Sequence, residues 1–159
     1  MDGVRAFWNG HELISKQSKR ILCPDWLVED LPLGVALDGE LWMGRNKFEK
    51  LMTLLHTSSQ DDPWKEVMYV IFDMPHSNET YELRMEALNK IKLPSHAKIV
   101  SRIQYQGNDH LLKSLTEIVK EGGEGFMLYK PQSLYIGERT QSLLKAKVIP
   151  SAICLLNVG

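Results

Sequence analysis

The chain has 159 residues, of which 43% are hydrophobic and 25% are charged, and its formal net charge at pH 7 is -1. This composition is typical of one globular domain and excludes a disordered chain, because the sequence contains no low-complexity run and no block of like charge. No apolar stretch has membrane-spanning length, so no membrane partner is expected. Any nucleic-acid-binding role has to rest on local clusters of Lys and Arg, because there is no overall basic excess.

The first half of the chain predicts four strands and one helix. Asn9-Gly10 predicts a tight turn between the first two strands. Asn46 is the expected N-cap of a helix that ends near His56, with Glu49 in the position of a capping box. The strands are expected at residues 3–8, 11–16, 35–42 and 67–73. The last of them is apolar up to its final Asp, which indicates a strand buried on both faces.

The second half predicts two helices and three strands. One helix is expected at 79–91, and another begins at an N-cap, Asn108, and ends at the pair Gly122-Gly123. The apolar face of the second helix contains Leu111, Leu112, Leu115, Ile118 and Val119. The strands are expected at 98–104, 125–129 and 142–148. This order predicts an α+β domain of mixed or antiparallel sheets with flanking helices.

Two acidic residues, Asp38 and Glu40, lie two positions apart in the strand predicted at 35–42. Because side chains alternate along a strand, both point to the face opposite Leu37 and Leu41. Neighbouring carboxylates repel each other unless a cation or a hydroxyl group compensates them, so the pair predicts metal or ribose binding. A solvated strand face explains the same pattern equally well.

Lys145 and Lys147 show the same spacing in the last predicted strand, with Leu144 and Ala146 on the other face. Two ammonium groups on one face suit a phosphate group. Taken alone, an edge strand protected by lysines is the better explanation of this pattern.

Three further segments carry candidate ligand-binding groups. Glu124 follows a glycine-rich turn and is either a ligand of a divalent metal or a solvated residue after a helix end. Phe72 offers a ring on which a purine stacks, although an ordinary core Phe is the more common case. Asp2 and Arg5 flank a short flexible turn, and the planar guanidinium suits a phosphate.

Each motif is weak alone, but their joint order is specific. The segments are DGVRAFWNG (2–10), PDW (24–26), LDGELWMGR (37–45), DDPWK (61–65), FDMP (72–75), GGEGFMLYKP (122–131) and LLKAK (143–147). In this order they resemble the motifs of the covalent nucleotidyltransferases, and in detail those of the small, bacterial-type ATP-dependent DNA ligases. The resemblance covers nearly everything from Asp2 to Val148 and implies the ATP-grasp-like nucleotidyltransferase fold.

The resemblance implies a reaction and its partners. These ligases use ATP and Mg²⁺ to seal nicks in double-stranded DNA through enzyme-AMP and DNA-adenylate, in DNA repair, replication or recombination. The chemistry is phosphoryl transfer, in which positioning and charge neutralisation dominate.

The resemblance also implies which residues bind the nucleotide and the metal. Phe72 would stack on adenine, and Glu40 would contact the ribose or help to organise the site. Glu124, together with Glu40, would hold the metal. Lys145 and Lys147 would grip the α-phosphate as catalytic residues.

Three residues are expected near the DNA. Asp2 and Arg5 would flank the reaction centre as catalytic residues, with Arg5 also on the nick phosphates. Lys16 stands where these ligases often carry an Arg, and it is expected on a DNA phosphate. A lysine there keeps the charge but loses the bidentate geometry of a guanidinium.

The same resemblance predicts the domain organisation. Residues 1–148 correspond to the adenylation domain, the nucleophilic lysine is expected immediately before Met1, and residues 149–159 form a tail outside the family pattern. The OB-fold domain that follows in these ligases is expected to be absent. We therefore expect a monomer that does not form enzyme-AMP by itself. The alternatives are a non-catalytic nucleotide- or DNA-binding relic, an RNA ligase or RNA-capping nucleotidyltransferase, and an unstable fragment.

Overall fold

Two β-sheets organise the part of the chain that the computed structural model describes, which is residues 2–57, 62–75, 78–149 and 152–158. The five-stranded sheet has the order β2-β1-β3-β4-β5, and the three-stranded sheet has the order β6-β7-β8. The strands are β1 (Val4–Trp8), β2 (Leu13–Ser15), β3 (Leu37–Trp42), β4 (Met68–Asp73), β5 (Ala97–Ile99), β6 (Gly125–Tyr129), β7 (Thr140–Ile149) and β8 (Ala152–Val158). The pair β4–β5 is parallel and the other pairs are antiparallel, which confirms the predicted α+β class with mixed and antiparallel sheets.

The helices of the described residues flank these sheets. They are α1 (Phe48–His56), α2 (Tyr81–Asn89) and α3 (Asn108–Lys120), with short 3₁₀ helices at Asp25–Leu27 and Pro63–Glu66. Among the described residues, no helix has both the length and the apolar character needed to cross a membrane.

The hydrophobic core lies on one face of the five-stranded sheet. Leu37 and Leu41 of β3 and Tyr69 and Ile71 of β4 are fully buried there, as period-2 alternation requires. The Tyr69 hydroxyl lies 3.1 and 3.0 Å from the carbonyl oxygens of Ala6 and Leu37, so a polar group in the core ties three strands together. Helices α1 and α2 close the core from outside with the buried side chains Leu51, Leu54, Met85 and Leu88.

Several local predictions are wrong, and each fails for a local reason. The loop between β1 and β2 spans residues 9–12, because the Asn9 side chain accepts hydrogen bonds from the backbone N–H groups of His11 and Glu12. Helix α1 has Lys47 at its N-cap, since Asn46 takes a left-handed conformation with φ 59°.

Two further predictions fail in the second half. Gly107 occupies the N-cap of α3, and the Asn108 side chain instead accepts a hydrogen bond from the Tyr105 hydroxyl. The strand predicted at 98–104 is the short strand β5, and residues 100–107 have no regular structure.

The C-terminal segment is part of the second sheet. Strand β8 pairs antiparallel with β7, with Ala146 opposite Leu155 and Lys147 opposite Cys154. The described part of the tail at 149–159 therefore continues a sheet.

Candidate active site

The face of the five-stranded sheet opposite the core carries the first group of candidate residues. In the pairing of β1 with β3, Arg5 lies opposite Glu40, and Glu40 lies opposite Val70 of β4. Phe72, two positions after Val70, has its ring centroid 6.0 Å from the Arg5 guanidinium carbon. Three residues that are distant in sequence thus share one face of the sheet.

Glu40 has an unsatisfied oxygen in this face. The Gly3 backbone N–H bonds to the Glu40 carboxylate, but Oε1 is buried and has no hydrogen-bond partner among the described residues. Burial is the main reason why the pKa of Glu40 is raised, and the charge of Lys145 acts in the opposite direction. A buried acceptor without a donor is unfavourable in the free protein and suits a ligand hydroxyl.

Arg5 is fixed by a buried acid. Its Nε and Nη2 donate to the two carboxylate oxygens of Asp38, at 3.1 and 2.7 Å, and Asp38 is 1% exposed. The Tyr135 hydroxyl donates to the same carboxylate at 2.8 Å. The bond to Asp38 raises the pKa of Arg5, although partial burial opposes this effect.

A second arginine–aspartate pair lies in the interior beside the first. Arg84 of α2 donates from Nε and Nη2 to Asp73 at 2.6 and 2.9 Å, and both side chains are almost fully buried. Arg84 Nη1 donates to the carbonyl oxygens of Glu79 and Ser133. This pair therefore holds the end of β4, the start of α2 and the loop between β6 and β7 in one arrangement.

The three-stranded sheet supplies the second group of candidates. Lys145 and Lys147 of β7 donate to the two oxygens of Glu124, at 2.7 and 3.1 Å. The hydrogen bond from Lys145 is the main reason why the pKa of Glu124 is lowered, and the bond with Glu124 raises the pKa of Lys147. All three side chains are about one-third to one-half exposed, so a ligand can reach them.

A glycine lets the two strands that carry this cluster approach each other. Gly125 has φ 151°, and a Cβ atom there would lie 2.0 Å from the carbonyl oxygen of Ala146. A side chain would therefore push β6 away from β7 and separate Glu124 from the two lysines.

The predicted residues fall into one main cluster and one neighbouring groove. The charge of Lys145 lowers the pKa of Glu40, and the charge of Asp2 raises the pKa of both Glu40 and Lys147, so these residues lie within electrostatic range of one another. Lys16 lies apart from them. It lines, with Arg5, Asp38 and Tyr135, a groove of about 390 Å³ between β1, β2 and the loop that follows β6.

The expected metal ligands do not form a cluster of their own. Among the described residues, no group of three His, Cys, Asp or Glu side chains is placed to hold a metal ion. Glu124 has both oxygens on lysines, and Glu40 has one oxygen without a hydrogen-bond partner.

Sequence reasoning gave the wrong role to one residue of the site and no role to two others. Asp38 was expected to face a metal or a ribose, but it is the partner of Arg5. Asp73 lay within a quoted segment but was given no role, and Tyr135 was not singled out. The acidic end of an otherwise apolar strand was the available signal for Asp73, whereas nothing local marks Tyr135, whose partner lies 97 positions away.

Comparison with known proteins gives the family. Residues 2–147 match the family model of the ATP dependent DNA ligase domain. The chain is 30% identical over 157 residues to a DNA ligase of Haemophilus influenzae, a match that covers 97% of this chain and 58% of that ligase. The chain therefore spans less than two thirds of that relative.

Solved structures agree with this result. A structure from a study of Lig E DNA ligases and of DNA binding with a minimal scaffold has a TM-score of 0.86 and 29% identity, over 93% of this chain and 59% of that one. A second structure, Pmar-Lig_PreS3, has a TM-score of 0.75 and 22% identity over 93% of this chain and 41% of that one, which supports the fold alone. The motif order that resembled ATP-dependent DNA ligases is confirmed, and the chain belongs to the ATP dependent DNA ligase domain family.

Proposed function

We propose that this chain carries the nucleotide site of an ATP-dependent DNA ligase and takes part in the sealing of nicks in double-stranded DNA. The observation that carries the proposal is that Arg5, Glu40 and Phe72 share one face of the first sheet, with the Glu124–Lys145–Lys147 cluster of the second sheet within electrostatic range of Glu40. The relatives support the choice of substrate, since the similar proteins are described as DNA ligases.

The face of the five-stranded sheet fits a nucleoside. Phe72 offers an aromatic ring beside Val70, and a purine would stack on that ring. The unpaired Oε1 of Glu40 would accept a hydrogen bond from a ribose hydroxyl. A bound nucleoside would thus satisfy an atom that the free protein leaves without a partner.

The three-stranded sheet fits the phosphates. Each lysine ammonium has three donors, and Glu124 takes one from Lys145 and one from Lys147. The remaining donors would bind phosphate oxygens while Glu124 keeps both ammonium groups in place. Glu124 is therefore proposed to orient the lysines whether or not a metal is present.

The carboxylates also fit Mg²⁺ in a limited way. Mg²⁺ in phosphate-transfer sites is bound through one or two carboxylates, phosphate oxygens and water, so it does not need a cluster of three protein ligands. Glu124 and Glu40 would supply these carboxylates. When bound, Mg²⁺ would neutralise charge on the phosphates.

The groove beside Arg5 fits the DNA backbone. Lys16 is exposed on one side of the groove, and Arg5 lies on the other with its Nη1 outside the hydrogen bonds of the described residues. Both cations would contact phosphates near the nick, and Asp2 would lie between them and the nucleotide.

The test separates nucleotide binding from nick sealing. Purified chain is titrated with ATP and Mg²⁺, and is separately mixed with a DNA nick that already carries a 5′-adenylate, whose sealing does not pass through enzyme-AMP. We expect ATP to bind and the adenylated nick to be sealed, and both effects to be strongly reduced in Lys145→Met. ATP binding without sealing would favour a non-catalytic nucleotide-binding protein, and the absence of both would overturn the proposal.

A second part of the experiment compares DNA with RNA as the substrate. The same experiment with an adenylated nick in RNA should give less product than the DNA nick. Preference for RNA would favour the RNA ligase alternative.

A further inference from the structure

The hydrogen bonds around Arg5 include a residue that sequence motifs do not mark. We propose that Tyr135 is a positioning residue that, through Asp38, holds Arg5 in the orientation in which it recognises a 5′-phosphate at the nick. This inference rests on the proposed function and names a contact within its DNA-binding groove.

Three donor atoms, from Arg5 and Tyr135, meet at the Asp38 carboxylate. Asp38 Oδ2 accepts hydrogen bonds from Arg5 Nη2 at 2.7 Å and from the Tyr135 hydroxyl at 2.8 Å, while Oδ1 accepts from Arg5 Nε at 3.1 Å. Arg5 Nη2 also lies 3.5 Å from the Tyr135 oxygen. Because Asp38 is buried, water does not replace a lost donor easily, so the hydroxyl contributes to fixing the carboxylate.

The hydroxyl remains a donor at working pH. Burial, followed by the negative charge of Asp38, raises the pKa of Tyr135 to about 12. The carboxylate therefore faces a neutral phenol and a cation, which together give each of its two oxygens at least one donor.

The Tyr135 ring is held in place without the hydroxyl. Its loop is tied to helix α2 by the bond from Arg84 to the Ser133 carbonyl, at 3.0 Å, and by bonds from the Gln132 backbone N–H to Glu82. The Arg84 guanidinium carbon lies 5.9 Å from the centroid of the Tyr135 ring. Removal of the hydroxyl alone should therefore leave the loop in its position and change only the support of Asp38.

The orientation of Arg5 matters in the groove that Lys16 also lines. Arg5, Asp38 and Tyr135 all line it together with Lys16. Arg5 uses Nε and Nη2 internally, and within the described ranges no acceptor takes Nη1, so this group is available to a ligand. A phosphate that binds this one remaining group depends on a fixed guanidinium plane, because rotation of the plane would move the donor. A looser Asp38 should therefore reduce recognition of the phosphate more than it reduces general binding to DNA.

The experiment compares Tyr135→Phe with Tyr105→Phe, which removes a phenol hydroxyl at an exposed site whose partner is Asn108. Binding to nicked DNA is measured with a 5′-phosphate and with a 5′-hydroxyl at the nick, and hydrogen exchange of the Arg5 Nε–H group is followed by NMR. We expect Tyr135→Phe to lower the preference for the 5′-phosphate roughly three- to tenfold and to accelerate the exchange. The control should change neither, and the midpoint of thermal unfolding should stay close to that of the parent in both variants.

The outcomes separate the inference from the proposed function. If the parent chain binds no nicked DNA, the proposed function fails and takes this inference with it. If the parent prefers the 5′-phosphate and Tyr135→Phe keeps that preference, the proposed function stands and the positioning role is overturned. Unchanged Nε–H exchange in Tyr135→Phe would overturn it as well.

Discussion

The two sheets hold their charges in different ways. In the five-stranded sheet two buried aspartates, Asp38 and Asp73, are held by bidentate bonds from arginines, Arg5 of the sheet and Arg84 of α2. In the three-stranded sheet one exposed glutamate receives single bonds from two lysines. A buried bidentate pair holds one geometry and is shielded from water, whereas an exposed ammonium group exchanges hydrogen-bond partners readily. The buried pairs therefore fix the positions of the site's side chains, and the exposed cluster is suited to ligand binding.

The buried pair beside α2 should give the largest effect. In Asp73→Asn the Arg84 guanidinium keeps its charge in a site where the side chain is 1% exposed, and breaking a buried pair of this kind destabilises a protein by about 3–5 kcal/mol. We expect a loss of this size in the free energy of unfolding, measured by urea denaturation. Asp62→Asn, at an exposed pair with Lys65, is the matched control and should leave the midpoint unchanged. A small loss of unfolding free energy in Asp73→Asn, similar to that of the control, would show that the buried pair stabilises the fold no more than an exposed pair does.

The second prediction concerns the exposed cluster of Glu124, Lys145 and Lys147. Lys145→Met should lower the affinity for ATP by about tenfold or more, or about 1.4 kcal/mol, because it removes a donor for phosphate. The free energy of unfolding should stay near that of the parent, since the pair with Glu124 is partly exposed. Calorimetric titration with ATP measures the first quantity and urea denaturation the second. Lys90→Met, at an exposed helical pair with Glu86, should change neither, and a Lys145→Met protein that binds ATP normally would contradict the phosphate role.

These two regions also show which features of the site can be predicted from sequence patterns. The period-2 spacing of Asp38 with Glu40, and of Lys145 with Lys147, placed each pair on one strand face because alternation is a local property of a strand. The partners of these residues are not local. Asp38 pairs with a residue 33 positions away, and Glu124 meets Lys145 from a distance of 21 positions. Motif order brought most site residues into one family pattern, but only the folded chain shows which charges neutralise each other.

The predicted helix N-caps are wrong for a related reason. Asn46 and Asn108 are good N-cap residues in isolation, yet neither occupies the cap, because the preceding or following residue fits the bend of the chain better there. Cap preferences amount to about 1 kcal/mol, which tertiary packing easily overrides. Strands β1, β3, β4, β6 and β7 lie close to their predicted ranges, because each extends over five residues or more and is long enough for its hydrophobic pattern to show in the sequence.

Glu124 offers a sharper test, because it is proposed both to orient lysines and to hold Mg²⁺. In Glu124→Gln the amide oxygen is a weaker acceptor than the carboxylate for the two lysines, so the lysines are oriented less well and ATP should bind roughly two- to fivefold more weakly than to the parent even when the metal is chelated. With Mg²⁺ present the loss should be larger, because a carboxylate ligand is missing as well. Titration with ATP in EDTA and then in Mg²⁺ measures both effects. The same loss under both conditions would show that Glu124 acts only by orienting the lysines, and equal affinities of variant and parent would contradict both roles.

The smallest effect should come from Glu40, where binding and stability are expected to oppose each other. Burial raises the pKa of Glu40 above its ordinary value of 4.5, so the folded state holds a proton at this site more tightly than the unfolded state does. The resulting penalty is absent below the unfolded pKa, grows as the pH rises from the unfolded to the folded pKa, and is complete above the folded pKa.

Glu40→Gln should therefore raise the midpoint of thermal unfolding at about pH 7.5 and leave it unchanged at about pH 3.5, below the unfolded pKa. The same variant should bind ATP more weakly, because a neutral amide is a poorer acceptor for a ribose hydroxyl than a carboxylate. A midpoint difference that is the same at both pH values would show that the ionised carboxylate is not the source of the penalty. A variant that is more stable and also binds ATP as tightly as the parent would show that the unpaired oxygen of Glu40 is not kept for a ligand.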